Sequence, residues 1–159
     1  MILCLLVAGC AGPRYWSYEP RPGRSAAPTA SGHAEPPRNA PPAVLRALAA
    51  GNQIVGTPYK FGGGHASTWD SGYDCSGAVS RVLIGAGLLA APRPSSGFRD
   101  FGEPGEGEWI TVYVTRGHSF IEVADLRFDT GWHRHPEGPR WSARRRPLDG
   151  YIARHPKAL

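Results

Sequence analysis

The stretch GTPYKFGGGHASTWDSGYDCSGAVSRVL, residues 56–83, changes character at Asp74 and Cys75, where a glycine-rich loop gives way to apolar residues at helical spacing. Val79, Val82, Leu83 and Ala86 recur at intervals of three and four, which predicts a helix beginning near Cys75, with Gly85 and Gly87 fraying its end. Asp74 then stands as an N-cap, because a carboxylate there accepts hydrogen bonds from the free N–H groups of the first turn. Cys75 falls in that turn, where the helix dipole and unpaired N–H groups favour an anion and lower a thiol below its free value of about 8.5. The same N–H groups suit an oxyanion on a substrate that the sulfur attacks.

What the other two cysteines do decides how much weight Cys75 carries. Cys4 and Cys10 lie in MILCLLVAGC, residues 1–10, an apolar run too short to span a bilayer as a mature helix. It reads as the apolar core and cleavage region of a secretory signal. It resembles a bacterial lipoprotein signal, since Val7, Ala8 and Gly9 precede Cys10 as in a lipobox, although no basic leader comes first. The resemblance implies a signal peptide over residues 1–9, a lipidated Cys10 anchoring the protein to a membrane, and a place in the bacterial cell envelope. In a Gram-negative cell that place is the outer membrane, facing the periplasm. Cys75 is then the sole thiol of the folded domain, unpaired in an oxidising compartment and so a candidate reactive group. The alternative for a free cysteine is a small buried hydrophobe.

Residues 10–42 hold eight of the sixteen prolines and no periodic apolar pattern, which predicts a lipidated cysteine followed by a disordered, Pro-rich tether. Tyr15, Trp16 and Tyr18 are its aromatic exceptions, candidates for a membrane interface. A domain is expected over residues 43–159. It opens with a helix through Val44, Leu45 and Leu48, with Gly51 as a weak point. Beyond the helix at Cys75, EWITVYV, HSFIEV, LRFDT and GYIAR read as short strands separated by turn signals. Helices first and strands afterwards is the α+β order, with the helices packed on an antiparallel sheet. The net charge of +5 favours polyanions in general. Its late basic cluster, RHPEGPRWSARRRPL, is broken by prolines and lacks regular aromatic interleaving, so a solvated surface is expected there and no nucleic-acid partner.

A thiol nucleophile needs a base, and the chain has six histidines. His33 lies in the tether segment, His155 near the C-terminus and His65 in the glycine loop. His133 and His135 flank Arg134 in a Gly/Pro-bounded loop, without the cysteine or carboxylate cluster a metal site needs. His118 follows a TRG turn and opens an apolar strand, which would set its ring on a rigid element. Spacing alone leaves the choice open.

GTPYKFGG, DCSGAVSRVL and GHSFIEV, taken together and in this order, resemble the signature segments of the NlpC family of cell-wall cysteine peptidases, over roughly residue 43 to the C-terminus. The resemblance implies a papain-like α+β fold and hydrolysis of peptidoglycan stem peptides, at the bond between D-glutamate and diaminopimelate, by a monomer without cofactor or metal. It implies that Cys75 is the nucleophile, His118 the base, Tyr59 an oxyanion donor beside the Cys75 N–H, and Asp74 and Ser76 the lining of the substrate groove. The residue that orients the base falls at Asp129, where the family more often carries His, Asn or Gln; Thr130 and His133 are the alternatives. A second departure is the insertion HASTWDSG, residues 65–72, which offers His65 and Trp69 as groove walls, with simple packing the expectation for Trp69. A non-catalytic wall-binding lipoprotein, or an amidase or acyltransferase using the same thiol, would share these residues.

Overall fold

The computed structural model describes residues 18–131 and 138–159. Cys10, Tyr15, Trp16, His133 and His135 lie outside the described residues, as does the signal at residues 1–9. From Tyr18 onward the chain contradicts the expected tether. A small hairpin of β1 (Ala27–Pro28) and β2 (Ala34–Glu35) lies against the body. The Ala26 N–H donates to Ala124 O at 2.9 Å, the Trp141 N–H to Gly32 O at 2.8 Å, and Arg21 pairs with Asp125. Ala34 exchanges two hydrogen bonds with the Asn52 side chain, at 2.8 and 2.9 Å. Composition misled here because it counts apolar side chains, whereas this strap is held by backbone groups, by polar side-chain contacts such as Arg21–Asp125, and by small buried residues including Ala26 and Ala34. Tyr18, a candidate interface aromatic, donates its hydroxyl to Ala26 O.

Helix α1 (Pro42–Asn52) starts on a proline whose missing N–H costs nothing in a first turn. It buries Val44, Ala47 and Leu48. Gly51 is not a weak point: it lies inside α1, and a Cβ there would come within 2.4 Å of the Trp141 indole. Helix α2 (Cys75–Ala86) packs against α1, and Gly85 permits their closest approach, since a Cβ would sit 2.3 Å from Ala50 Cβ. Gly85 is therefore a helix contact rather than a frayed end. Gly87 closes α2 as a left-handed C-cap at φ 79°.

The sheet is built from β3 (Glu103–Pro104), β4 (Ile110–Val114), β5 (Ser119–Val123), β6 (Leu126–Asp129), β7 (Arg140–Ser142) and β8 (Ile152–His155). It is antiparallel throughout, in the order β3-β8-β4-β5-β6-β7. The fold is therefore mixed α+β, with the helices on one face. Cross-strand pairs Ile110–Val123, Val112–Ile121 and Ile121–Phe128 supply that face, and Val79, Val82 and Leu83 of α2 join the same core. The intervening positions turn the other way: Tyr113 stacks on Phe120 with ring centroids 4.9 Å apart, and Phe120 meets Tyr151 edge-on. Four strands fall where the sequence places them. β7 escapes sequence reading because three residues between a proline and an arginine run carry no usable alternation.

Candidate active site

The start of α2 has the cap its sequence predicts. Asp74 is extended, and its Oδ1 accepts the Gly77 N–H at 2.7 Å. Cys75 occupies the next position and is partly exposed. At the hairpin between β4 and β5, the Thr115 N–H donates to His118 O at 2.9 Å, which fixes the residue on the sheet's end. From there His118 faces two ways. Its Nε2 lies 2.8 Å from Asp129 Oδ1, and the imidazole is near enough to the Cys75 thiol for each to shift the other's charge. With Nε2 committed to the carboxylate, Nδ1 is the ring nitrogen left for sulfur.

Asp129, at the end of β6, is buried. Its Oδ1 also accepts the Gly131 N–H at 2.9 Å, and its Oδ2 accepts from Arg146 Nη1 at 2.8 Å, with Arg127 Nε 3.6 Å away. Arg146 is held in turn over the Phe120 and Tyr151 rings, 5.5 and 5.4 Å from their centroids. Thr130, the neighbouring candidate just past β6, is also buried, but it is Asp129 that meets the imidazole.

These contacts set the charges. Burial alone would push the Cys75 thiol up, but hydrogen bonds from His118, Ser95 and the Ser119 N–H, with the nearby imidazolium, bring it below the ordinary thiol value. Burial alone would lower His118; hydrogen bonds and charge from Asp129 and Cys75 raise it to about 9. Burial opposes the Asp129 carboxylate too, and His118 and Arg127 with the Gly131 N–H hold it below the usual range. These contacts therefore favour the thiolate–imidazolium form of the pair over two neutral groups. Alkylation of Cys75 by iodoacetamide is expected to rise below the ordinary thiol range, with a second change near pH 9 as the imidazolium loses its proton. A single rise at or above the ordinary value would contradict this pairing. The stability that His118 contributes is complete below its unfolded value of about 6.5 and is lost as pH rises through about 9. That of Asp129 is present above its unfolded value and is lost as pH falls through its depressed one.

Tyr59 bridges to Tyr73 beside the cap, and its phenol is raised by burial and by the charges of Cys75 and Asp74, so it keeps its proton as a donor. Asp74 and Ser76 are brought together but are nearly buried, 8% and 4% exposed, and bonded to each other at 3.0 Å. His65 Nε2 lies 3.1 Å from both Asp74 Oδ1 and Ser76 Oγ. Trp69, for which packing was the expectation, is instead 60% exposed, with the Arg81 guanidinium 4.4 Å from its ring centroid.

Two participants were not expected from sequence. Ser95, in a 3-10 turn over Ser95–Phe98, brings Oγ to 3.5 Å from Cys75 Sγ. Arg146 supports Asp129 from a segment read only as a basic loop. No family model matches the chain, and no curated protein matches it.

Proposed function

We propose that this chain is a peptidoglycan stem-peptide hydrolase, a papain-like cysteine endopeptidase of the NlpC type. The observation that carries the reading is the line from Cys75 through His118 to Asp129, with Tyr59 near enough for the charge of Cys75 to raise its phenol. The thiolate attacks the carbonyl carbon of the scissile amide, and the oxyanion meets the Cys75 N–H and the Tyr59 hydroxyl. The His118 imidazolium gives its proton to the leaving amine, leaving a thioester. His118 then takes a proton from water, which attacks the thioester; the acid is released and the thiol restored. Asp129 holds the ring and offsets its charge.

The cell wall as substrate source rests on the three motif segments, and the D-glutamyl to diaminopimelate bond on the same resemblance. Cys10 would carry the lipid that keeps the enzyme in the envelope. The lowered thiol, beside His118 and 3.5 Å from Ser95 Oγ, favours a catalyst over a binding module with the same residues. To test the reading, purified peptidoglycan is digested with the full chain, with and without prior alkylation of Cys75, and the fragments are weighed by mass spectrometry. New diaminopimelate N-termini released by the free thiol alone are expected. Equal release from both samples would overturn the thiol mechanism.

A further inference from the structure

The chain between β7 and β8 carries three consecutive arginines, Arg144, Arg145 and Arg146. Arg146 turns in over the sheet face opposite the helices. Its guanidinium lies 5.5 and 5.4 Å from the centroids of the Phe120 and Tyr151 rings, and Phe120 is itself stacked on Tyr113. Two aromatic neighbours restrict where the planar group can sit. From that seat Nη1 donates to Asp129 Oδ2 at 2.8 Å. The other oxygen, Oδ1, accepts the Gly131 N–H at 2.9 Å and lies 2.8 Å from His118 Nε2. Gly131 lets arginine and imidazole meet on one carboxylate, since a Cβ there would stand 3.3 Å from both Arg146 Nη1 and His118 Nε2. The terminal torsion of an aspartate is broad, so bonds on Oδ1 alone leave the carboxylate free to rock off the ring. A bond on the far oxygen removes that freedom, and a charged donor makes it roughly twice as strong as a neutral one.

We propose that Arg146 is a positioning residue: by pinning Asp129 Oδ2 it keeps Oδ1 on His118 Nε2, and so holds the other ring nitrogen toward Cys75 through the reaction. Its effect on rate rests on the hydrolase reading, whereas its effect on the His118–Asp129 hydrogen bond does not. Arg146 stays protonated and acts through Asp129, so its loss should lower kcat and leave KM nearly unchanged. The Asp129 side chain is fully buried while that of Arg146 is 27% exposed, so a methionine can cover the same two rings from the rim.

Arg146→Met keeps the length of the side chain and removes its charge and donors, and Arg146→Lys restores the charge with one donor. On a synthetic stem tetrapeptide, Arg146→Met is expected to lose roughly 10²-fold in kcat with KM within about threefold, the size of effect that follows a misplacement of about 1 Å. Arg146→Lys should recover about tenfold or more of that loss. A kcat for Arg146→Met within about threefold of the unaltered chain, or a lysine variant no faster than the methionine one, would overturn the proposal. A second arm needs no hydrolysis. In the proton NMR spectrum of the full chain, the His118 Nε2–H on its carboxylate is expected as a downfield resonance that is absent from His118→Ala. Arg146→Met should move it upfield or lose it to solvent exchange, and Arg146→Lys should keep it. An unchanged resonance in Arg146→Met, its loss from a folded Arg146→Lys, or its absence from the unaltered chain would each overturn the proposal, whether or not any peptide is cleaved. Should no variant and not even the unaltered chain cleave the peptide while the resonance behaves as expected, the hydrolase reading alone would fall.

Discussion

Chains carrying Cys75→Ala or His118→Ala are expected to release stem-peptide fragments roughly 10⁶-fold more slowly than the unaltered chain, and the double variant no more slowly than either. The near-equality follows from the geometry. His118 helps lower the Cys75 thiol, so removing the imidazole weakens the nucleophile as well as removing the acid for the leaving amine. Residual rate would come from the Tyr59 hydroxyl and the N–H groups at the start of α2, which neither substitution touches. Fragment release followed by mass spectrometry measures the loss. If His118→Ala kept within about tenfold of the wild-type rate, another group would be acting as base and the assignment would fall.

Gly77→Ala should be strongly damaging. Helix propensity alone predicts the opposite, since alanine stabilises a helix interior by roughly 1 kcal/mol over glycine. Packing decides the sign. A Cβ at Gly77 would sit 2.0 Å from Gly63 O and 3.2 Å from Gly64 Cα, and backbone cannot swing aside as a long side chain can. Gly63 is held by its own N–H to Lys60 O at 2.8 Å and accepts the Asp74 N–H at 3.3 Å. Relief of the overlap must therefore push the glycine loop off α2, taking Tyr59 and the Asp74 cap with it. The expected cost is about 3 kcal/mol, read as a lower urea midpoint, together with loss of activity. A midpoint at or above that of the unaltered chain would show that the loop yields freely.

The two cases mark what the sequence could reveal. Asp74 and Cys75 were legible because capping is local: an N-cap and its first turn are read from adjacent residues. His118 was one candidate among several until the motif order singled it out, since its approach to Cys75 spans forty-three residues that no spacing rule covers. Asp129 came from the same resemblance, with Thr130 and His133 as alternatives, and the structure brings Asp129 to the imidazole. Ser95 and Arg146 were out of reach, because each meets the site through a long-range approach set by the path of a loop with no periodic pattern. The Gly63–Gly77 contact was hidden for the same reason, as two glycines in sequence say nothing of how closely two backbones pass.

The strap that begins at Tyr18 alters the mechanics of attachment. With residues 10–42 free, the anchor at Cys10 would let the catalytic body range on the order of 100 Å from the bilayer, at ~3.5 Å per residue. Because the chain is fastened to the body from Tyr18 on, only eight residue steps separate it from Cys10, a reach of at most about 29 Å. On the lipoprotein and hydrolase readings together, the enzyme would work on a short leash. It would cut stems in the layer of wall that comes near the membrane and leave more distant layers untouched, so that the depth of wall it remodels is set by where the strap begins.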